Sequence, residues 1–269
     1  MHRVGLTAYY CCGARAADAA SVRPICGDTY AQRFMTGEGR EVFAAFAHFS
    51  APNASNVTRA RIIDDELRKR LALDPEQLIV LIGAGFDSRA YRLGGGRWVE
   101  LDQPALLQRK EEQLPTAEAT VPLQRVAIDF ASETLGEKLA PWKGTPNVIV
   151  VLEGVSQYLT QDQQRETFAA VREAFPSATL LCDLMSAAFM NRATDRFRTV
   201  LRSLGTDFAP QARAPETTVI ACGYGLISRT SIINRARELG AIRIPGIIFH
   251  TLLRTLRDGY CVYQFQALD

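Results

Sequence analysis

Five short apolar runs, Gln77 to Ile82, Trp98 to Leu101, Leu123 to Ile128, Val148 to Leu152 and Thr179 to Leu184, succeed one another with helix-patterned stretches between them. Runs this short and this uniformly apolar are strands buried on both faces, and the stretches between them are the crossovers that a parallel sheet requires. That alternation predicts an α/β, doubly wound sheet whose ligand site lies outside the carboxyl ends of the strands, where strand order reverses. Two crossovers carry start signals of their own. Pro104 to Leu114 begins with proline in a first turn, and Thr160-Gln-Asp-Gln163 is a capping box ahead of the stripe Phe168, Val171 and Phe175.

The flanks are helical in pattern. Glu38 to Phe49 sets Val42, Phe46 and Phe49 on one stripe that Ala51-Pro52-Asn53 closes, so residues 1–57 are expected to form a helical cover. The two glycosylation-like triplets at Asn53 and Asn56 read as a polar loop before the next helix, Thr58 to Leu73. There Ile63, Leu67 and Leu71 face inward, while Asp64–Arg68 and Asp65–Lys69 form i,i+4 pairs on the solvated side. Beyond Leu184, Met185 to Gln211 is rich in Arg and Phe, and a helical lid insertion at 186–216 over the carboxyl edge is the expectation. A helix from Thr230 to Leu239 stops at Gly240, and a run Ile242 to Ile248 with the alternating strand Tyr260 to Leu268 predicts a terminal hairpin. The sheet then has seven strands, the last antiparallel, in one domain spanning 1–269.

Charge and cysteine usage narrow the partners. With 31 Lys and Arg against 29 Asp and Glu, scattered without blocks, no nucleic-acid surface is expected and a small-molecule substrate is favoured. Six dispersed cysteines fit neither zinc spacing nor a disulfide framework, which points to reduced thiols in the cytoplasm. Charged residues interrupt the first twenty positions and no run reaches membrane-spanning length, so neither secretion nor membrane insertion is expected. His2, His48 and His250 share no motif, and no metal site is expected.

The site signal is Leu81-Ile-Gly-Ala-Gly-Phe-Asp-Ser-Arg-Ala-Tyr-Arg-Leu93. Gly83 and Gly85 at the tip of the first strand let the main chain approach a ligand. Asp102, at the tip of the second, stands where a carboxylate accepts hydrogen bonds from ribose hydroxyls. An adenosine is implied. A dinucleotide turn has a third small residue beside its pyrophosphate, whereas this one has Asp87, an anion unfavourable to a diphosphate unless it pairs with Arg89. S-adenosylmethionine carries no phosphate.

These blocks, with Glu100-Leu-Asp-Gln-Pro104, Lys110, Leu152-Glu-Gly-Val-Ser-Gln-Tyr-Leu159, Ala14-Arg-Ala16, Asp28-Thr-Tyr-Ala31 and Thr58-Arg-Ala-Arg-Ile-Ile-Asp-Asp65, resemble the leucine carboxyl methyltransferase family, in its bacterial branch that includes polyketide carboxyl O-methyltransferases. Thr29 stands where that pattern has proline, and Ala60 where it has threonine. The resemblance implies a Rossmann-like class I methyltransferase fold with S-adenosylmethionine as cofactor and S-adenosylhomocysteine as product. It implies Gly83 and Gly85 against the methionine portion, Asp102 on the ribose, Asp129 on the adenine amino group and Phe130 beside the ring. Arg59 would pair with the cofactor's carboxylate, and Glu153 would lie near its ammonium.

A carboxylate acceptor is ionised at neutral pH, whereas a hydroxyl needs a general base, for which Glu153 and Tyr158 are the candidates. An ester-forming methyltransferase acting on an acidic small molecule is therefore expected, with Arg192, Arg196, Arg198 and Arg202 steering the acid inward. Left open are methylation of a hydroxyl or nitrogen of a secondary metabolite, a nicotinamide dehydrogenase, and a non-catalytic cofactor-binding protein. Local alternatives also stand: Asp87 capping the following helix and paired with Arg89, Glu153 tied to a neighbouring arginine, Tyr158 packing, and Arg61 paired with Asp64 or Asp65.

Overall fold

Strands β1 (Leu78–Ile82) and β4 (Ile149–Leu152) lie side by side and parallel at the centre of a seven-stranded sheet, fully buried as their composition demands. Around them run β2 (Arg97–Asp102), β3 (Leu123–Ala127), β5 (Thr179–Met185), β6 (Tyr224–Ser231) and β7 (Tyr260–Ala267), in the order β3-β2-β1-β4-β5-β7-β6. All are parallel except β7, which pairs antiparallel with both β5 and β6. This computed structural model describes residues 5–130, 132–192, 195–244 and 253–268. The order reverses between β1 and β4, so their carboxyl ends define the crevice.

The α-helices among the described residues are α1 (Leu6–Ala19), α2 (Gly37–Ala44), α3 (Ser50–Leu73), α4 (Arg89–Arg92), α5 (Pro104–Gln113), α6 (Leu135–Leu139), α7 (Gln161–Ala174), α8 (Ala187–Met190), α9 (Asp195–Ser203), α10 (Glu216–Ile220), α11 (Ile232–Glu238) and α12 (Arg254–Asp258). The predicted crossovers form where expected. Thr160 Oγ1 and the Gln163 side chain make the reciprocal capping box of α7, and Phe168, Val171 and Phe175 are buried. One face of the sheet packs Ile63, Leu67 and Leu71 of α3, and the other packs the α7 stripe.

Three expectations are corrected. The polar loop at 53–58 does not exist, because Ser50–Leu73 is one helix with Pro52 in its first turn, where a proline is tolerated. Asn53 instead donates to the carbonyls of Phe46 and Ala47, tying α3 to the turn before it. Asp64 is not on the solvated side but fully buried, bound by Arg89 and Arg92; of the expected wet-side pairs only a long 3.9 Å contact to Arg68 remains, and Lys69 meets Glu66. The sixth strand is Tyr224–Ser231, upstream of α11, whereas Ile242 to Ile244 are in no strand and 245–248 lie outside the described residues. Because β6 is a mostly exposed edge strand with a bulge between Leu226 and Ser228, its side chains do not alternate against the core.

Candidate functional site

The turn after β1 is built for close approach. Gly83 and Gly85 both adopt positive φ, and their amides and that of Ala84 are turned inward: Gly83 and Ala84 donate to the Leu101 carbonyl at 2.9 and 3.0 Å. A Cβ on Gly83 would strike Val155, from the turn after β4. Gly85 donates to Asp102 Oδ2 at 2.6 Å, and Gln103 donates to Oδ1 at 2.7 Å. The two strand-tip features singled out in the sequence are therefore joined by one hydrogen bond. Burial raises the Asp102 pKa against the lowering effect of these two amides, and each carboxylate oxygen keeps a further lone pair for a hydroxyl donor.

Asp129 and Phe130 follow β3. Both are exposed, and Phe130 leaves 54% of its surface uncovered, a large flat apolar face just past the end of β3. Asp129 Oδ2 accepts from Ser132 at 3.0 Å. Glu100 and Lys110 lie beneath as a fully buried pair at 2.8 Å, with Arg125 on the same carboxylate oxygen.

Arg59, on α3, and Glu153, just past β4, are bonded to each other: Nε donates to Oε1 at 3.0 Å. Arg89 takes the other Glu153 oxygen at 2.6 Å and also binds Asp64 and Asp87, while the Arg89 amide donates to Asp87 at 2.7 Å. Burial would raise the Glu153 pKa, but the charges of Arg89, Arg59 and Arg15 outweigh it and hold the carboxyl at about 2. Arg59 Nη1 reaches Asp183 Oδ2 at 3.2 Å and Tyr260 Oη at 2.8 Å. Asp183 and Tyr260 were not singled out in the sequence; an acid inside the apolar run Thr179 to Leu184 was the available signal, because such a residue is buried only with partners.

The cover is anchored to the same turn. Arg15 donates to the Phe86 carbonyl at 2.8 Å and to Asp28 at 2.9 Å, and Ser88 donates to the other Asp28 oxygen at 2.6 Å. Asp87 is thus partnered by Arg89 and does not by itself disfavour a diphosphate. In the cluster around it the buried carboxylates of Asp28, Asp64 and Asp183 are matched by the buried guanidiniums of Arg15, Arg59 and Arg89, with Asp87, Glu153 and Arg92 partly exposed.

Tyr158 packs against Phe208 at 5.5 Å, and burial pushes its hydroxyl pKa well above the ordinary value. Arg61 pairs with Asp65 at 2.8 Å. In the insertion Arg198 and Arg202 both bind Asp207, while Arg192 and Arg196 are exposed. His48 is exposed, and His2 and His250 lie outside the described residues. No group of metal-ligating side chains occurs among the described residues.

The profile of the leucine carboxyl methyltransferase family matches residues 8–172, more than half of the chain. The chain belongs to that family. It is an enzyme of the methyltransferase class, with S-adenosylmethionine as its cofactor. A Frankia alni protein provisionally named an S-adenosyl-L-methionine-dependent methyltransferase is 31% identical over 192 residues, covering 66% of this chain and 67% of its own. The tetracenomycin polyketide synthesis O-methyltransferase TcmP of Streptomyces glaucescens is 24% identical over 201 residues, covering 72% and 70%. A DUF574 family protein from Streptomyces avermitilis shares the fold, with a TM-score of 0.60 at 13% identity over 88% of this chain and 95% of that one. The family's cofactor fits the residues present, given the bent glycine turn, the acid beside it and the uncovered Phe130 ring. Family membership also removes the nicotinamide dehydrogenase alternative.

Proposed function

We propose that this chain is an O-methyltransferase that esterifies a carboxylate of an acidic small molecule. The supporting observation is the state of the two candidate bases. Glu153 is pinned by two arginines with its carboxyl held at about 2, and desolvation pushes the hydroxyl of the half-buried Tyr158 upward, so neither accepts or releases a proton near neutrality. An acceptor that arrives ionised needs neither.

When bound, S-adenosylmethionine supplies an activated methyl group on its sulfonium. The chain's own task is alignment, which in well-oriented systems contributes on the order of 7 to 11 kcal/mol. Asp102 would hold the ribose hydroxyls, and Asp129 and Phe130 would hold the adenine edge and face. Arg59 would pair with the cofactor's carboxylate, Glu153 would supply negative charge toward its ammonium, and Gly83 and Gly85 would bring main chain against the methionine portion. The cover and the insertion enclose the acceptor: Phe197 of the insertion packs on Tyr10, Phe46 and Phe49 of the cover, and Ala209 donates to the Gln157 carbonyl at 2.9 Å.

The test is incubation with methyl-labelled S-adenosylmethionine and matched acceptors carrying a carboxylate, a phenol or an amine. Label transferred only to carboxylates, into a product cleaved by mild base, is the expected result. Transfer to phenols or amines into base-stable products would refute the ester assignment.

A further inference from the structure

A guanidinium has five N–H donors, and those of Arg59 are unequally used. Nε donates to Glu153, and Nη1 carries two acceptors, Asp183 Oδ2 and Tyr260 Oη. Nη2 has no oxygen partner among the described residues; it faces the Cys11 sulfur at 3.9 Å and the bare Cα of Gly154, where an added Cβ would stand 2.9 Å away. Arg59 is 4% exposed, and the absence of a side chain on Gly154 makes room for its guanidinium.

Nη1 is fixed by a closed set of bonds. Tyr260 Oη accepts from Nη1 and donates to Asp183 Oδ2 at 2.9 Å, while Asp183 Oδ1 accepts from the Gly154 amide at 2.6 Å. Asp183 therefore grips both the guanidinium and the glycine beside its open edge. The topology makes this possible: β7 runs antiparallel, so its first residue, Tyr260, pairs with Met185 at the carboxyl edge of the parallel strands. Had β7 been parallel, Tyr260 would lie at the opposite edge.

We propose that Asp183 and Tyr260 are positioning residues that lock the Arg59 guanidinium so that Nη2 is presented to the cofactor's carboxylate. This rests on the assignment of Arg59 to that carboxylate. A planar guanidinium held at Nε and Nη1 has no rotation left, which directs the Nη2 donors without further ordering when the ligand binds.

The test compares two ligands in calorimetric titration of the full chain: S-adenosylhomocysteine, which carries the carboxylate, and methylthioadenosine, which lacks the amino-acid end. Tyr260→Phe keeps the ring and removes only the hydroxyl. It is expected to weaken S-adenosylhomocysteine binding about tenfold, in the range of a hydrogen bond to a charged group, and to leave methylthioadenosine unchanged. Asp183→Asn is expected to show the same selectivity with a larger loss. Equal loss for both ligands, or no loss for either, would overturn the proposal. Arg59→Lys separates the two layers of the argument. If that variant loses S-adenosylhomocysteine selectively while Tyr260→Phe does not, Arg59 is assigned correctly and the positioning role is wrong. If Arg59→Lys binds both ligands as the unaltered chain does, the Arg59 assignment itself fails.

Discussion

Arg59 Nε and Glu153 Oε1 meet at 3.0 Å although 94 positions separate them in the chain, and this contact joins the cover-side helix α3 to the tip of β4. Two residues expected at opposite ends of a ligand are therefore parts of one continuous, largely buried charged cluster. Glu153 serves that cluster as a fixed negative charge, since Arg89 holds its other oxygen.

Arg89 ties the cluster together, so its removal is expected to be costly. It is 2% exposed and bonded to Asp64, Asp87 and Glu153, and Arg89→Ala would strand Asp87 without a cation. A loss of about 3 to 5 kcal/mol in chemical denaturation is expected, as for other buried pairs broken from one side. Arg165→Ala, at an exposed pair with Asp162, is the control and should change stability little.

The pH dependence follows from Glu153. Its carboxyl is depressed to about 2, below the ordinary value of ~4.3, so its stabilising contribution is complete above the ordinary value and is lost as pH falls toward 2. No ionisation of Glu153 or Tyr158 falls near neutrality, so turnover on a carboxylate acceptor should be flat between about pH 6 and 9 and decline only as the acceptor protonates. An inflection near neutrality that follows the enzyme rather than the acceptor would indicate a working base.

Gly154 combines a φ of 72° with a Cβ direction that leads to Arg59 Nη2. Gly154→Ala should strain the turn and crowd the open edge of the guanidinium. We expect S-adenosylhomocysteine affinity to fall at least about tenfold, with methylthioadenosine affected less, as titration of both ligands will report.

The class of fold was legible because buried parallel strands are largely apolar and their crossovers amphipathic; β1 and β4 are apolar and buried throughout, and α7 has its apolar stripe, whereas β3 is only partly buried. Gly83, Gly85 and Asp102 were legible because a tight turn and a strand-tip acid have fixed spacing. The partners of Arg59 were not: Tyr260 reaches it only through the placement of β7 between β5 and β6, and Asp183 showed only as an acid inside the apolar run of β5. Asp64 was misjudged for a related reason: its helical neighbours suggested a solvated pair, and the buried arginines that claim it come from another element, α4.

Phe130 gives a test free of folding effects. Its ring is 54% exposed, so Phe130→Ala should leave thermal unfolding almost unchanged. Loss of base–aromatic contact, about 1 to 3 kcal/mol in comparable systems, should instead appear as a roughly 5- to 150-fold weaker binding of both adenosine ligands. Unchanged binding would place the adenine elsewhere.

The central claim is that the glycine turn and Asp102 hold one nucleoside sugar, and titration of Asp102→Asn with S-adenosylhomocysteine tests it most directly. The substitution keeps the side-chain size and an oxygen for the Gly85 amide, and removes the charge that would accept from the ribose. The account predicts tight binding by the unaltered chain and at least about tenfold weaker binding by a folded Asp102→Asn variant. Equal affinity in the two proteins would contradict it.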